Sequence, residues 1–332
     1  MKNKAITIKD VAKQSGVSIS TVSQILNGKS DKFSPVTVAK VQQAKADLHY
    51  EPDYFARRMI MKTSKTIGVL VPDITNPFFG ELIRGIEQVL YQASYITMLC
   101  NADLDETKEQ GYLAELSHRG VDGFIIASSA VSNQAINDIL RTKQHPFIVL
   151  DQKKAEGFSD AVLTDDFEGG RLAATHLKQL GHQHVAVLMP AQASVNVQQR
   201  LAGFKTVYAD ADIDRIDVPL SKLGGRQAVP AILKTAATGL FAINDEIAFG
   251  LYLGLAEAGK QVPRDYSVIG YDNVEMCEYV TPQLTTIAQP IFELGQVTAE
   301  ILLARIKNPD QPWDERRLPV KLIERKSTAH LN

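Results

Sequence analysis

The run IKDVAKQSGVSISTVSQILNG, residues 8–28, decides how the rest of the chain is read. Ile8, Val11 and Ala12 fall on one helical face. Gly16 breaks that helix and supplies a turn, and Val17 plugs the angle beyond it. Ser18 stands where an N-cap belongs, Val22, Ile25 and Leu26 give a second helix its apolar face, and Asn27-Gly28 stops it. Two helices joined by such a turn make a helix-turn-helix, whose second helix can enter the major groove of DNA. A plain helical hairpin has the same apolar spacing. The outer face of the second helix favours the first reading. Ile19, Ser20, Thr21, Ser23, Gln24 and Asn27 include no acid, and a phosphate-lined groove would repel one.

Working outward, a polar loop leads to Pro35, which starts a third helix running to about Leu48. Val38, Val41, Ala44, Ala46 and Leu48 are its core candidates, and Tyr50-Glu51-Pro52 closes the head. Residues 1–62 hold 11 Lys/Arg against 5 Asp/Glu, a balance of +6, leaving −8 on the remainder (25 against 33) and −2 overall. A basic head on an acidic body fits nucleic-acid binding by the head alone. DYFARRMIM, 53–61, reads as a short helix capped by Asp53, too short to be stable undocked in water. Arg57 and Arg58 suit phosphates, Ala56 permits close approach, and Met59 is an apolar wedge for a base step in the minor groove.

From residue 66 strands and helices alternate. Strands are read at TIGVLV, ITMLC, FIIAS, PFIVLD, AVLTDD, HVAVLM, DVPL, GLFAIND, SVIGYDN and TTIAQP, with a last one near 318–324. Helices are read at about 77–93, 105–119, 132–143, 167–180, 195–209, 224–236, 245–258 and 291–306. Repeated β-α units imply parallel sheets, and about 270 residues exceed one open sheet of usual size, so two Rossmann-like lobes are expected. The fold class is therefore α/β in two lobes behind an all-α head.

Ligands of open α/β sheets bind beyond the carboxyl ends of the strands. There the chain places Asn76-Pro77 as N-cap and first helical residue, followed by Phe78 and Phe79, adjacent aromatics suited to the apolar face of a sugar or base. Other strands end on Asp151, Asn244-Asp245, Asp272 and Gln289, and Arg200 opens RLAGF on a helix facing the same side. Each acid could simply cap the next helix. Together they suit a neutral polyhydroxyl compound: carboxylates accept hydroxyl protons, Arg donates a fork of N–H groups, and amides do both.

Catalysis finds little support. GxSxG, HExxH and the strand-GxGxxG fingerprint are absent, so neither a metal nor a nucleotide cofactor is indicated. His182 and His184 read as capping or packing groups. Two cysteines, Cys100 and Cys277, form no disulfide framework, no apolar run spans a membrane, and the N-terminus carries no secretory signal, which together suggest the cytoplasm.

TIKDVAKQSGVSISTVSQILNG, the stretch from Tyr50 to Met59, and a two-lobed body with VIGYDN and LTTIAQP strongly resemble the LacI/GalR repressors from Thr7 to about Ser327. The body also resembles periplasmic sugar-binding proteins, most of all those for ribose. The resemblance implies a homodimeric repressor of operator DNA controlled by a small sugar such as ribose or another pentose. The alternatives within the family are a phosphorylated carrier protein as corepressor, with Arg84 a candidate contact, and a purine. It implies a head over 1–52, a hinge over 53–65 and a body over 66–332. The body's N-lobe would be 66–162 plus 290–317, and its C-lobe 163–289 plus 318–332. Base-reading positions would be Ile19, Ser20 and Gln24; Thr7, Ser18, Thr21, Ser23 and Asn27 would hold or support phosphates; Ala56, Arg57 and Met59 would serve the minor groove. Effector positions would be Asn76, Phe78, Phe79, Asp151, Arg200, Asn244, Asp272 and Gln289. Three departures stand out. Gln152 lies where ribose-binding protein has an Arg, no aromatic stands near Leu223, and Gln24 replaces a frequent Arg, so adenine rather than guanine is expected opposite it.

Overall fold

The computed structural model describes residues 6–51, 63–103, 105–128, 133–150 and 159–331. Two compact units result, residues 1–64 and 65–332. The segment 53–61, with Asp53, Ala56, Arg57, Arg58 and Met59, lies outside the described residues, as do Asp151 and Gln152.

The first unit is three helices: α1 (Ile8–Ser15), α2 (Ile19–Leu26) and α3 (Pro35–Asp47). Gly16 ends α1 with φ +70°, a left-handed conformation that costs glycine nothing, and it turns the chain into α2. Ser18 caps α2 by accepting from the Thr21 amide at 3.1 Å, and Ser34 caps α3 by accepting from the Thr37 amide at 3.2 Å, ahead of Pro35. Val11, Ala12, Val22, Ile25, Val41, Ala44 and Tyr50 form the core, with Val17, Val38 and Leu48 packed on it. Ala46 was expected inside but is exposed: it lies two residues beyond buried Ala44, on the solvent side of α3. Tyr50 takes the remaining space.

The second unit holds two six-stranded sheets. The first runs in the order β11-β5-β4-β3-β1-β2, with β1 (Thr66–Val71) and β3 (Gly123–Ile126) central, β2 (Ile96–Asn101) at one edge, then β4 (Phe147–Leu150), β5 (Asp160–Thr164) and β11 (Glu315–Leu318). The second runs β12-β10-β9-β8-β6-β7, formed by β6 (Val185–Met189), β7 (Ile213–Asp217), β8 (Gly239–Ala242), β9 (Ser267–Asp272), β10 (Thr285–Ala288) and β12 (Lys321–Ile323). Every pairing is parallel except β10 with β12. The central strands are buried along their whole length, as parallel strands covered on both faces must be.

The chain passes between the sheets three times: from β5 into helix Asp166–Gln179, from β10 into helix Ile291–Lys307, and from β11 to β12. The last crossing follows a loop fastened by a buried ion pair. Arg305 donates Nε and Nη2 to Asp160, each at 2.9 Å, and its other bonds go to the carbonyls of Pro309, Gln311 and Pro312.

Three expectations need correction. DVPL is not the strand; IDRID, 213–217, is, and Val218–Leu220 continue as loop. Helix 195–209 stops at Phe204, where Tyr208 tucks inward to donate its hydroxyl to the His182 carbonyl at 2.7 Å. The single strand near 318–324 is two strands, one in each sheet. The first, ERRL, is an exposed edge whose charged residues give no apolar signature.

Helices Pro77–Gln92 and Ile291–Lys307 touch backbone to backbone. A Cβ on Gly85 would sit 2.1 Å from the Phe292 carbonyl oxygen, and one on Gly295 would sit 2.3 Å from that of Leu82. Only glycine admits that approach.

Candidate functional site

In the body, the carboxyl ends of the strands open on a cleft of about 340 Å³. Asn76, Phe78, Phe79, Arg200, Asn244, Asp272 and Gln289 all line it, seven residues gathered from five separate connections. Asn76 caps helix Pro77–Gln92, its Oδ1 accepting from the Phe78 amide at 3.0 Å. That cap fixes the first turn, so Phe78 and Phe79 meet edge to face, with centroids 5.1 Å apart and planes at 80°. Both rings are mostly buried yet reach the cleft.

Arg200 is 4% exposed, and a charge so buried needs partners. Its Nε donates to Asp166 Oδ1 at 2.7 Å, its Nη1 donates to the Ile243 carbonyl at 2.8 Å, and the guanidinium lies 3.7 Å over the Tyr271 ring. Asp272 ends β9 at φ +122°, with Asn273 following at +62°. Two residues off the usual β region bend the chain away from the sheet and leave the carboxylate at the cleft wall. Gln289 Nε2 donates to Asp272 Oδ1 at 2.7 Å. Asn244 is both a cap and a cleft residue: its Oδ1 accepts from the Ile247 amide at 3.0 Å while the residue lines the cleft.

Asp245, its neighbour in sequence, turns the other way. It is fully buried in the second lobe and absent from the lining, accepting from Thr286 Oγ1 at 2.7 Å, the Val274 amide at 3.0 Å and Cys277 Sγ at 3.1 Å. Burial pushes its carboxyl from 3.8 up to about 6. A folded pKa raised above the unfolded one means that folding takes up a proton between the two values. The contribution is full below about pH 4 and is lost as the pH rises through 6. Between pH 5 and 7.5 the wild-type body should lose about 1 kcal/mol through this group, a few degrees of Tm, and Asp245→Asn should remove that slope in melts at the two pH values.

The cleft also has members that strand-end reading passed over. Asp73, Gln192, Ser194, Asn196, Pro219 and Leu220 line it. Asp73 sits inside VPDITNPFF, and 190–196 follows β6 just where a ligand loop is due, so both carried a usable signal. Leu223 is exposed and outside the lining; Pro219 and Leu220 supply the apolar wall near the position where an aromatic was expected. His176 and His182, by contrast, pack against the C-terminal stretch through Thr328 and Ala329, and His182 also bonds Thr238 just before β8.

In the head, Thr7 binds Asp10 Oδ2 through its amide (2.8 Å) and hydroxyl (2.7 Å), fixing the start of α1. Ile19 and Ser20 are exposed at the start of α2. Gln24 Nε2 donates to Ser20 Oγ and Asn27 Nδ2 to Ser23 Oγ, each at 3.4 Å, so polar groups one turn apart are already aligned along one face.

Among the described residues no group of three or more His, Cys, Asp or Glu could hold a metal ion, and no helix is long and apolar enough to cross a membrane.

Residues 7–53 match the model for bacterial regulatory proteins of the lacI family, and 174–328 match that for a periplasmic binding protein-like domain. An HTH-type transcriptional repressor PurR of Aliivibrio fischeri (strain MJ11) is 35% identical over 321 residues, covering 94% of each chain. A LacI family transcriptional regulator from Enterococcus faecalis V583, solved with bound ribose, is 67% identical, covers 80% of this chain and all of its own, and superposes with a TM-score of 0.78. The lac repressor dimer bound to operator and an anti-inducer is 28% identical over 98% of this chain and all of its own, with a TM-score of 0.86. These relatives are regulators rather than enzymes, and this chain belongs to the lacI family of bacterial regulatory proteins.

Proposed function

We propose that the chain is a homodimeric transcriptional repressor whose operator affinity is set by a small neutral sugar, with ribose the first candidate. The observation that carries the ligand class is the charge of the cleft. Among the described lining residues Arg200 is the one cation, and its charge is already met by Asp166, while Asp73 and Asp272 add negative charge. Among those described residues a phosphorylated sugar would find no unspent positive charge. A polyol finds carboxylate acceptors, amides and two aromatic rings. The ribose-bound relative at 67% identity supports the pentose.

Asn76, Phe78, Phe79, Arg200, Asn244, Asp272 and Gln289 would hold the sugar, joined by Asp151. Thr7, Ser18, Ile19, Ser20, Thr21, Ser23, Gln24 and Asn27 would face operator DNA, with Ala56, Arg57 and Met59 in a hinge helix over 53–65. Sugar contacts from both lobes would favour one lobe arrangement, and that arrangement would set the spacing of the two hinge helices in a dimer. Exposed Tyr91, Ile96, Leu253 and Tyr279 offer apolar surface to the second copy. Such a switch works where the chromosome is, in the cytoplasm.

The purine reading draws on relatives of about 35% identity, the sugar reading on one of 67%. For the phosphocarrier reading, Arg84 is exposed and pairs with Glu81 at 2.5 Å, a surface pair that a phosphate could displace. A thermal-shift panel on the full chain tests the sugar reading against the purine one. Ribose at a hundred times its Kd should stabilise by about 2.7 kcal/mol, several degrees of Tm, while ribose 5-phosphate and purine bases should do nothing. A shift with hypoxanthine or guanine and none with any pentose would overturn the proposal.

A further inference from the structure

Arg200 and Asp272 reach the cleft from different elements, yet the buried hydrogen bonds that hold each of them meet at one residue behind its lining. Asp166 Oδ1 accepts from Arg200 Nε at 2.7 Å and from the Tyr271 hydroxyl at 3.1 Å. On the other side, Gln289 Nε2 donates to Asp272 Oδ1 at 2.7 Å, and its Oε1 accepts from the Thr164 hydroxyl at 2.8 Å. The Thr164 oxygen also lies 3.4 Å from Asp166 Oδ2, so the two halves meet side by side at Thr164, whose one hydroxyl proton goes to the nearer Gln289 Oε1. All six residues are 6% exposed or less.

Their places in the chain give the network its meaning. Thr164 ends β5, and Asp166 begins the helix after it, at the first passage between the sheets. Gln289 stands between β10 and helix Ile291–Lys307, at the second passage. The two passages are hydrogen-bonded to each other through Thr164, and each also holds one charged cleft residue: Arg200 through Asp166, Asp272 through Gln289.

An amide can point either of its ends at a neighbour. A carboxylate needs the NH2 end; the carbonyl end would repel it. The Asp272 carboxylate, an acceptor only, draws the NH2 end, and the Thr164 hydroxyl, donating to Gln289 Oε1, anchors the other end and holds the amide in place. We infer that Thr164 is a positioning residue: by anchoring Gln289 Oε1 it holds in place the amide that supports the Asp272 carboxylate, and so sets that carboxylate for the effector at the meeting of the two passages. This inference rests on the sugar-site reading above.

The test uses the full chain and D-ribose in isothermal titration calorimetry, beside operator affinity measured without sugar. Thr164→Val keeps the shape, removes the hydroxyl and leaves Gln289 Oε1 without that donor. It should weaken ribose about tenfold, the loss of one buried hydrogen bond, and leave sugar-free operator affinity within twofold of wild type. Thr164→Ser, which restores the hydroxyl, should recover wild-type ribose affinity; a purely packing role would not be rescued by it. Thr164→Ala makes the same deletion if the valine variant misfolds. Equal ribose affinity in wild type and Thr164→Val, or failure of Thr164→Ser to rescue, overturns the role of Thr164 while the sugar site stands. A wild-type chain that binds no pentose overturns the sugar site and this inference together, before any variant is made.

Discussion

Arg200→Ala is expected to cost the protein both its sugar and much of its stability. The guanidinium fills three roles at once: it lines the cleft, neutralises Asp166 and covers the Tyr271 ring. Removing it leaves the Asp166 carboxylate, 4% exposed, without its cation. Breaking one partner of a buried ion pair costs about 3–5 kcal/mol, which for a body of this size is roughly 10 °C of Tm. Ribose binding should fall at least about a hundredfold, since a charge-assisted donor is lost from a desolvated site. Arg200→Lys separates the two effects. It returns a positive charge near Asp166 but not the fork that also reaches the Ile243 carbonyl. Melting should recover in part while calorimetric ribose affinity stays low. A variant Arg200→Ala that melts within 2 °C of wild type (a small fraction of roughly 10 °C) would show that the pair contributes nothing.

Ser20→Glu should separate operator binding from folding just as sharply. Ser20 is exposed in the first turn of α2, a turn that contains no acid. A carboxylate there interacts well with the helix N-terminus, so the circular dichroism and Tm of the head should hold or improve slightly. Against the phosphates of a groove the same charge is repulsive by several kcal/mol, and operator affinity should drop by at least about a hundredfold. Fluorescence anisotropy with a labelled operator measures it. Unchanged affinity would remove α2 from the groove. At the next turn of that face, Gln24→Arg should move the preferred base from adenine to guanine in a binding-site selection, because the Gln amide matches the adenine edge and the Arg fork matches guanine.

Much of this molecule is readable before any coordinates, and the readable parts share a cause. The Gly16 turn, the Ser18 cap, the Pro35 start of α3 and the Asn76-Pro77 helix start are all decided by groups within four residues of one another. The buried parallel strands announce themselves as unbroken apolar runs. What stayed hidden is decided at long range. Asp166 meets Arg200 across 34 positions and Tyr271 across 105, and nothing in DDFEGG marks which of two adjacent acids turns inward. Asn244 and Asp245 show the same limit: neighbours with similar local signals, one in the cleft and one sealed in the lobe. ERRL escaped because an edge strand of three charged residues and one leucine has no apolar face to read.

The glycine contact between helices Pro77–Gln92 and Ile291–Lys307 has a mechanical consequence. One helix begins at the aromatic pair of the cleft, the other two residues after Gln289, and the contact at Gly85 and Gly295 leaves no room for them to slide past one another. They behave as a single stiff beam about 25 Å long with both working ends at the ligand. Rotation of a few degrees at the cleft end is then geometrically amplified at the far end into a displacement of more than an ångström, large enough to choose between two ways of seating a neighbouring subunit.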